Sequence, residues 1–194
     1  MPSANGRQRV GILALQGDFA AHAQIVSALG AEPREVRVPD DLDGLDALII
    51  PGGESTVMTL GIEREGLAEP LRALVSGGTP VLGTCAGMIM LDRHHLDVLD
   101  ISTRRNAFGR QLHSFEADLN LVGVEGGPVH AIFIRAPWVT EYGAEVEVLG
   151  KVDEHPVAIR QGNLLAVSFH PELSGETRLH RLLLGMDNGR GPSG

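Results

Sequence analysis

The chain has a single cysteine, Cys85, and it stands in the segment Gly83-Thr84-Cys85-Ala86-Gly87. A nucleophile flanked at two residues by glycines is the pattern of a sharp strand-to-helix turn that exposes one side chain, and the glycines make such a turn sterically possible. Sulfur at the start of a helix lies near free amide N–H groups and the positive end of the helix dipole, which favours thiolate over thiol. A free thiol with pKa of about 8.5 is only about 3% ionised at neutral pH, so a reactive site has to activate it. The alternative is a buried cysteine packed as a small hydrophobe. The flanking glycines favour the turn.

A nucleophile needs a base, and Ser168-Phe169-His170-Pro171-Glu172 offers one. In extended backbone, residues two apart point the same way, and Pro171 fixes φ, so Glu172 is expected to orient the His170 ring. His170 would take the thiol proton and later protonate a leaving amine, while Glu172 would stabilise the imidazolium. An H-x-E segment alone is weak, and its force comes from pairing with the cysteine turn. Attack on an amide carbonyl also develops negative charge that backbone N–H groups can meet. Candidates are Ala86 and the Pro51-Gly52-Gly53 loop, where Gly52 and Gly53 let backbone approach a ligand closely.

These residues have to be carried by a scaffold, and the hydrophobic pattern describes one. Apolar runs at Val10 to Gln16, Ala47 to Ile50, Pro80 to Leu82 and Leu164 to Phe169 read as buried strands, with a further extended run from Glu35 to Val38. Helical patterns fill the gaps: Asp18, as a cap, to Ala28, closing at Gly30; Leu67 to Val75; Met88 to Leu91; and Gly175 to Met186. Strands alternating with helices imply parallel pairing with both sheet faces covered. The second half, with strand-like segments at Arg104 to Leu121, Val129 to Ile134, Val146 to Val152 and Val157 to Arg160, predicts a mixed sheet or an antiparallel extension.

Composition narrows the class. The 194 residues and 43% hydrophobic content suit one domain, residues 1–194, with flexible ends at about 1–8 and 188–194. A formal charge of −9 leaves no basic stripe for nucleic acid, so none is expected as a partner. No apolar run reaches the roughly 20 residues of a membrane span, and a lone thiol fits a reducing compartment. The expected location is cytoplasmic, with no membrane attachment. His94 and His95 are adjacent but lack further ligands, so neither a metal nor another cofactor is expected. His22 and His113 read as surface or hydrogen-bonding residues, Arg104 and Arg105 on local sequence as a solvated basic pair, and Trp138 as a packing residue.

The segments GILALQGDFAAH, PGGEST, GTCAGMIML, RRNAFGRQ, SFEADL, FIRAPWV and SFHPEL span Gly11 to Leu173. Together they resemble the class I (triad) glutamine amidotransferases, and within them the glutaminase subunit of the two-component pyridoxal 5′-phosphate synthase. The resemblance implies a three-layer α/β, flavodoxin-like fold around a mixed, largely parallel sheet. It implies that Cys85, His170 and Glu172 form a triad, and that Gly53, Glu54, Ser55, Arg105, Ile134 and Arg135 bind L-glutamine. It implies a partner as well: a synthase subunit, docking near Gln16, that receives ammonia and builds the cofactor from ribose 5-phosphate and glyceraldehyde 3-phosphate. The glutaminase is then nearly silent until that subunit is attached. The resemblance also implies a longer segment where this chain has only DRHH between Leu91 and Leu96. Two other readings remain: the glutaminase of a pathway such as imidazole glycerol phosphate synthesis, against which RRNAFGRQ and FIRAP argue, and a non-catalytic thiol sensor, which has no use for a His–Glu relay.

Overall fold

The computed structural model describes residues 6–108 and 114–185. Its first part runs β1 (Arg9–Leu13), α1 (Phe19–Ala28), β2 (Glu32–Val36), β3 (Ala47–Ile50), α2 (Ser55–Arg64), α3 (Ala68–Ser76), β4 (Val81–Thr84) and α4 (Ala86–Leu91). The second part has β5 (Ile101–Arg104), β6 (Ser114–Leu119), β7 (Val129–Ile134), β8 (Trp138–Tyr142), β9 (Glu147–Val152), β10 (His155–Gln161) and β11 (Leu164–Val167), then α5 (Pro171–Ser174) and α6 (Arg178–Gly185).

Seven strands make the central sheet in the order β2-β1-β3-β4-β11-β10-β9. The pairings from β2 across to β11 are parallel, and β10 and β9 continue the sheet antiparallel. This is the mixed, largely parallel sheet expected, with helices on both faces. The reason is in the pleat, because successive side chains of a strand point to opposite faces. Leu48 and Ile50 of β3 join one hydrophobic cluster with Met58, Ile62, Leu71 and Met88 from α2, α3 and α4. Ala47 and Ile49 join the other, with Val26, Leu179 and Leu183 from α1 and α6. β3, β4 and β11 are buried at every position, so no polar alternation marks them.

The antiparallel half only partly extends the sheet. β5 pairs with β8 and β6 with β7 as two separate ribbons. Ala131 and Phe133 of β7 lie in the cluster beneath α1 and α6, so the β6–β7 ribbon roofs that face.

Several boundaries differ from the sequence reading. α2 carries no helical signal in the sequence, since Thr56, Val57 and Thr59 are β-branched and Gly61 is a weak helix former. What starts this helix is Glu54, whose carboxylate accepts from Thr56 N–H (3.1 Å) and Val57 N–H (3.0 Å). Asp18 precedes α1 but makes no side-chain cap hydrogen bond. β2 begins at Glu32, earlier than expected, because Pro33 is tolerated on an edge strand. β1 ends at Leu13, which leaves Leu15 and Gln16 in the following loop, and β11 ends at Val167. β8 was not anticipated. The end segments 1–5 and 186–194, including Met186, and residue His113 lie outside the described residues. Among the described residues, no helix is long and apolar enough to cross a membrane.

The short connection after α4 is organised by one buried carboxylate. Asp92 is paired with His95 Nδ1 (2.7 Å) and accepts from His94 N–H (2.9 Å) and Thr103 Oγ1–H (2.6 Å). Burial opposes its charge, but these hydrogen bonds outweigh it and hold its pKa below the ordinary carboxylate value. Arg72 Nε adds a bond to the Leu96 carbonyl (2.7 Å), which ties the turn to α3. His94 and His95 therefore have structural partners. Asp92→Ala should destabilise the chain by about 2 kcal/mol, the range for leaving buried partners unmatched. Urea unfolding measures this, and a change below about 0.5 kcal/mol would mean the connection holds without it.

Candidate active site

β4 is central in the sheet, and Cys85 follows it with φ 50° and ψ −109°, a backbone conformation that non-glycine residues rarely adopt. The turn is fixed on both sides. Cys85 N–H donates to the Val167 carbonyl (2.8 Å), and α4 begins at Ala86. A Cβ on Gly83 would come within 2.8 Å of the Gly87 oxygen, and one on Gly87 would collide with the Ile50 carbonyl. The two glycines of the motif are thus required by close packing of α4 on β3 and β4.

His170, the candidate base, follows the end of β11, but its neighbour Glu172 is not carried as expected. Pro171 opens α5, so Glu172 lies in the first turn of a short helix and not two steps along a strand. His170 is anchored by its own N–H to the Ile132 carbonyl (2.9 Å), and its Nδ1 lies 2.6 Å from Glu172 Oε1. Burial works against a charged ring at His170. Its hydrogen bonds and attraction to Cys85 and Glu172 prevail, raising the pKa from 6.5 to about 10. The ring is held as imidazolium beside the sulfur. Cys85 Sγ also lies 3.8 Å from the Ile134 carbonyl.

A cavity of 320 Å³ opens over the sulfur and gathers Gly53, Glu54, Ser55, Cys85, Ala86, Arg105, Ile134, Arg135 and His170 along its wall, with Ile89 and Asn106. Gly52 stands behind it, where a Cβ would come within 2.5 Å of His170 Cε1 and 3.4 Å of Cys85 Cβ. Arg105 Nη1 donates to Ser55 Oγ (3.0 Å) and Thr56 Oγ1 (3.1 Å), which aims the guanidinium along the cavity beside Glu54. Gln16 is bound to the same loop, its Oε1 accepting from Glu54 N–H at 2.5 Å. Gly17 is pressed on it too, since a Cβ there would collide with the Gly52 carbonyl oxygen. Phe133 stacks on Phe115 (4.4 Å between centroids), and Phe108 joins them edge-on, which supports the rim at Ile134. Trp138 is packed between Phe108 and His155.

Some residues here were not singled out from sequence. Asn106, with φ 47°, is a type that tolerates left-handed backbone, and this was its only signal. His22, read as surface or hydrogen-bonding, is fully buried in α1 four residues before buried Val26, and it meets His180 of α6 (2.8 Å). Helical spacing could have placed it inward. Among the described residues there is no group of three or more side chains able to hold a metal ion.

A cysteine on a strained turn at the carboxyl end of a central parallel strand, facing a histidine oriented by a buried glutamate, is the arrangement of a cysteine-dependent amide-cleaving α/β enzyme. Residues 12–187 match the model of the SNO glutamine amidotransferase family, and the chain belongs to that family. It is 55% identical to the pyridoxal 5′-phosphate synthase subunit PdxT of Frankia alni, over 91% of this chain and 93% of that one. It is 53% identical to the protein of the same name from Streptomyces avermitilis, over 91% and 92%. A crystal structure of a glutamine amidotransferase superposes with TM-score 0.86 at 46% identity, covering 91% of this chain and 97% of that one. A structure of PurLQS from Thermotoga maritima, at 17% identity and TM-score 0.68 over 92% and 98%, shares the fold.

The buried histidines give the site an acid limit. Burial first, then neighbouring histidine charge, lowers His22 from 6.5 to about 3, and burial lowers His180 to about 4. The lowered values keep both rings neutral in the fold near neutral pH, so their contribution is complete above pH 6.5 and is lost as pH falls toward those values. His170 and exposed His130 have raised values and act in the opposite sense, their contribution being complete below 6.5. Between about pH 6.5 and 5, before most carboxylates titrate, each neutral ring should remove about 1.5 kcal/mol from stability. Thermal melts across this interval should show Tm falling with acid. A flat profile would mean that the two rings take up protons in the folded chain.

Proposed function

We propose that this chain is the glutaminase subunit of a pyridoxal 5′-phosphate synthase, hydrolysing L-glutamine to glutamate and ammonia and passing the ammonia to a synthase subunit. The observation that carries the reading is the single cavity that joins Cys85 and His170 to an anchored Arg105 and the carboxylate of Glu54. A free amino acid presents a carboxylate and an ammonium, and Arg105 and Arg135, with Glu54 beside Arg105, offer charges of both signs to that pair. Gly53, Ser55 and Ile134 complete the wall. The curated relatives named as this subunit support the particular pathway.

The chemistry runs in two halves. Cys85 thiolate attacks the side-chain carbonyl carbon of glutamine, and the negative oxygen is met by backbone N–H groups of Ala86 and the Gly52–Gly53 loop. His170 gives its proton to the nitrogen as the C–N bond breaks, releasing ammonia and leaving a thioester. His170, now neutral, takes a proton from water, which attacks the thioester. Glutamate leaves, and thiolate and imidazolium are restored. Glu172 steadies the ring through both transfers.

The synthase docks over the β1–α1 loop, where Gln16 and Gly17 bear directly on the loop that carries the oxyanion donors. Moving one loop moves the other. The single unit has a cytoplasmic setting, where a lone reactive thiol persists. Ammonia release in the presence of the synthase tests the reading: Cys85→Ala should abolish it while leaving the thermal melt intact, and activity within about tenfold of wild type would reject it. Gln16→Ala should cut stimulation by the synthase about tenfold or more, and an unchanged ratio of rates with and without partner would remove Gln16 from the coupling.

A further inference from the structure

The glutamate of the site uses only one of its two oxygens on His170. Glu172 Oε1 is 2.6 Å from His170 Nδ1, but Oε2 is buried and makes no aligned hydrogen bond among the described residues. An unmatched carboxylate oxygen in the interior is unstable without a donor. His22 Nε2 faces it at 3.4 Å, with both side chains fully buried. The same nitrogen lies 3.3 Å from Thr84 Oγ1, and the other ring nitrogen, Nδ1, lies 2.8 Å from His180 Nε2.

One proton bridges the two rings, and where it sits decides what Glu172 meets. With the proton on His180 Nε2, His22 Nδ1 accepts and the His22 proton is on Nε2, the nitrogen that lies 3.3 Å from Thr84 Oγ1 and 3.4 Å from Glu172 Oε2. With the proton on His22 Nδ1, the carboxylate instead faces a nitrogen lone pair, which is repulsive. That second state also requires a proton on His180 Nδ1. The Glu176 carbonyl is near enough to favour one, but His180 Nδ1 makes no aligned hydrogen bond. We propose that His22 is a positioning residue for the triad: neutral and protonated on Nε2, it donates to Glu172 Oε2, while His180 fixes its tautomer. Glu172 is thereby held with Oε1 toward His170. The proposal rests on the glutaminase reading for its kinetic consequence, but not for its geometry.

The test uses the full-length chain. Nitrogen-15 NMR of labelled histidine should show His22 and His180 as neutral Nε2–H tautomers, and a His22 Nδ1–H tautomer would overturn the proposal. In the complex with synthase, His22→Leu should lower kcat about 10- to 100-fold with KM within about twofold, the pattern of misplaced machinery with binding intact. His22→Gln, which can put an N–H near the same point, should keep kcat within about threefold of wild type. A folded His22→Leu with wild-type kcat, or a folded His22→Gln as impaired as His22→Leu, would reject the donor role. Should His22→Leu fail to fold, the tautomer and the His22→Gln rate decide. A wild-type complex without glutaminase activity would refute the catalytic reading and leave the tautomer result standing.

Discussion

The backbone of Cys85 is the constraint on which the site depends. Left-handed φ at a residue with a side chain is unfavourable by about 1–3 kcal/mol and persists only where the surroundings over-determine it. Here they do. The strand before the turn is buried on both sides, its neighbour β11 binds the Cys85 N–H, and α4 is seated so closely that neither Gly83 nor Gly87 could carry a methyl group. The same strand pairing sets the base, because β11, which holds β4 in register through Val167 and Thr84, ends three residues before His170. Cys85 and His170 are thus indexed to one another by sheet hydrogen bonds, and side-chain contacts only complete the alignment.

Charge in this site is maintained by burial as much as opposed by it. Around His170, a low dielectric would expel a lone imidazolium, but it also strengthens attraction to the sulfur and the glutamate, and attraction prevails. One step further in, desolvation outweighs the contacts that His22 and His180 make and lowers the pKa of both rings. The three neighbouring histidines therefore divide, with the charged form favoured at His170 and the neutral form at His22 and His180. The division has a purpose in the chemistry: a proton at His22 would draw Glu172 away from His170.

Much of this was legible in sequence because the chemistry is local there. G-T-C-A-G and H-P-E each fit within five residues, and the buried strands are continuous apolar runs. What was hidden depends on contacts between distant segments. Helix α2 has poor intrinsic propensity and is held by the Glu54 cap and the burial of Met58 and Ile62. Glu172 lies 2.6 Å from His170, but its placement on a helix is not legible, since Pro171 suits extended backbone and a first helical turn equally. The His22–His180 contact joins residues 158 positions apart, and no periodicity in either helix points to the other.

Glu54 shows how one residue can tie recognition to folding. Its carboxylate caps α2, its backbone N–H is held by Gln16, and it lies on the cavity wall beside Arg105. Cap bonds to Thr56 and Val57 come first among the influences lowering its pKa, with Arg105 adding to them, so the group stays ionised on the wall. A shift of the β1–α1 loop would pull on this N–H and so on the residue that begins the helix beneath the cavity. Glycines at 52 and 53 keep the intervening backbone free of side chains, and a methyl group at either position would strike His170 or Gln16. Gln16, by its side-chain oxygen on Glu54 N–H, and His170, by the close approach of Gly52 to its ring, therefore meet the same short loop from two sides.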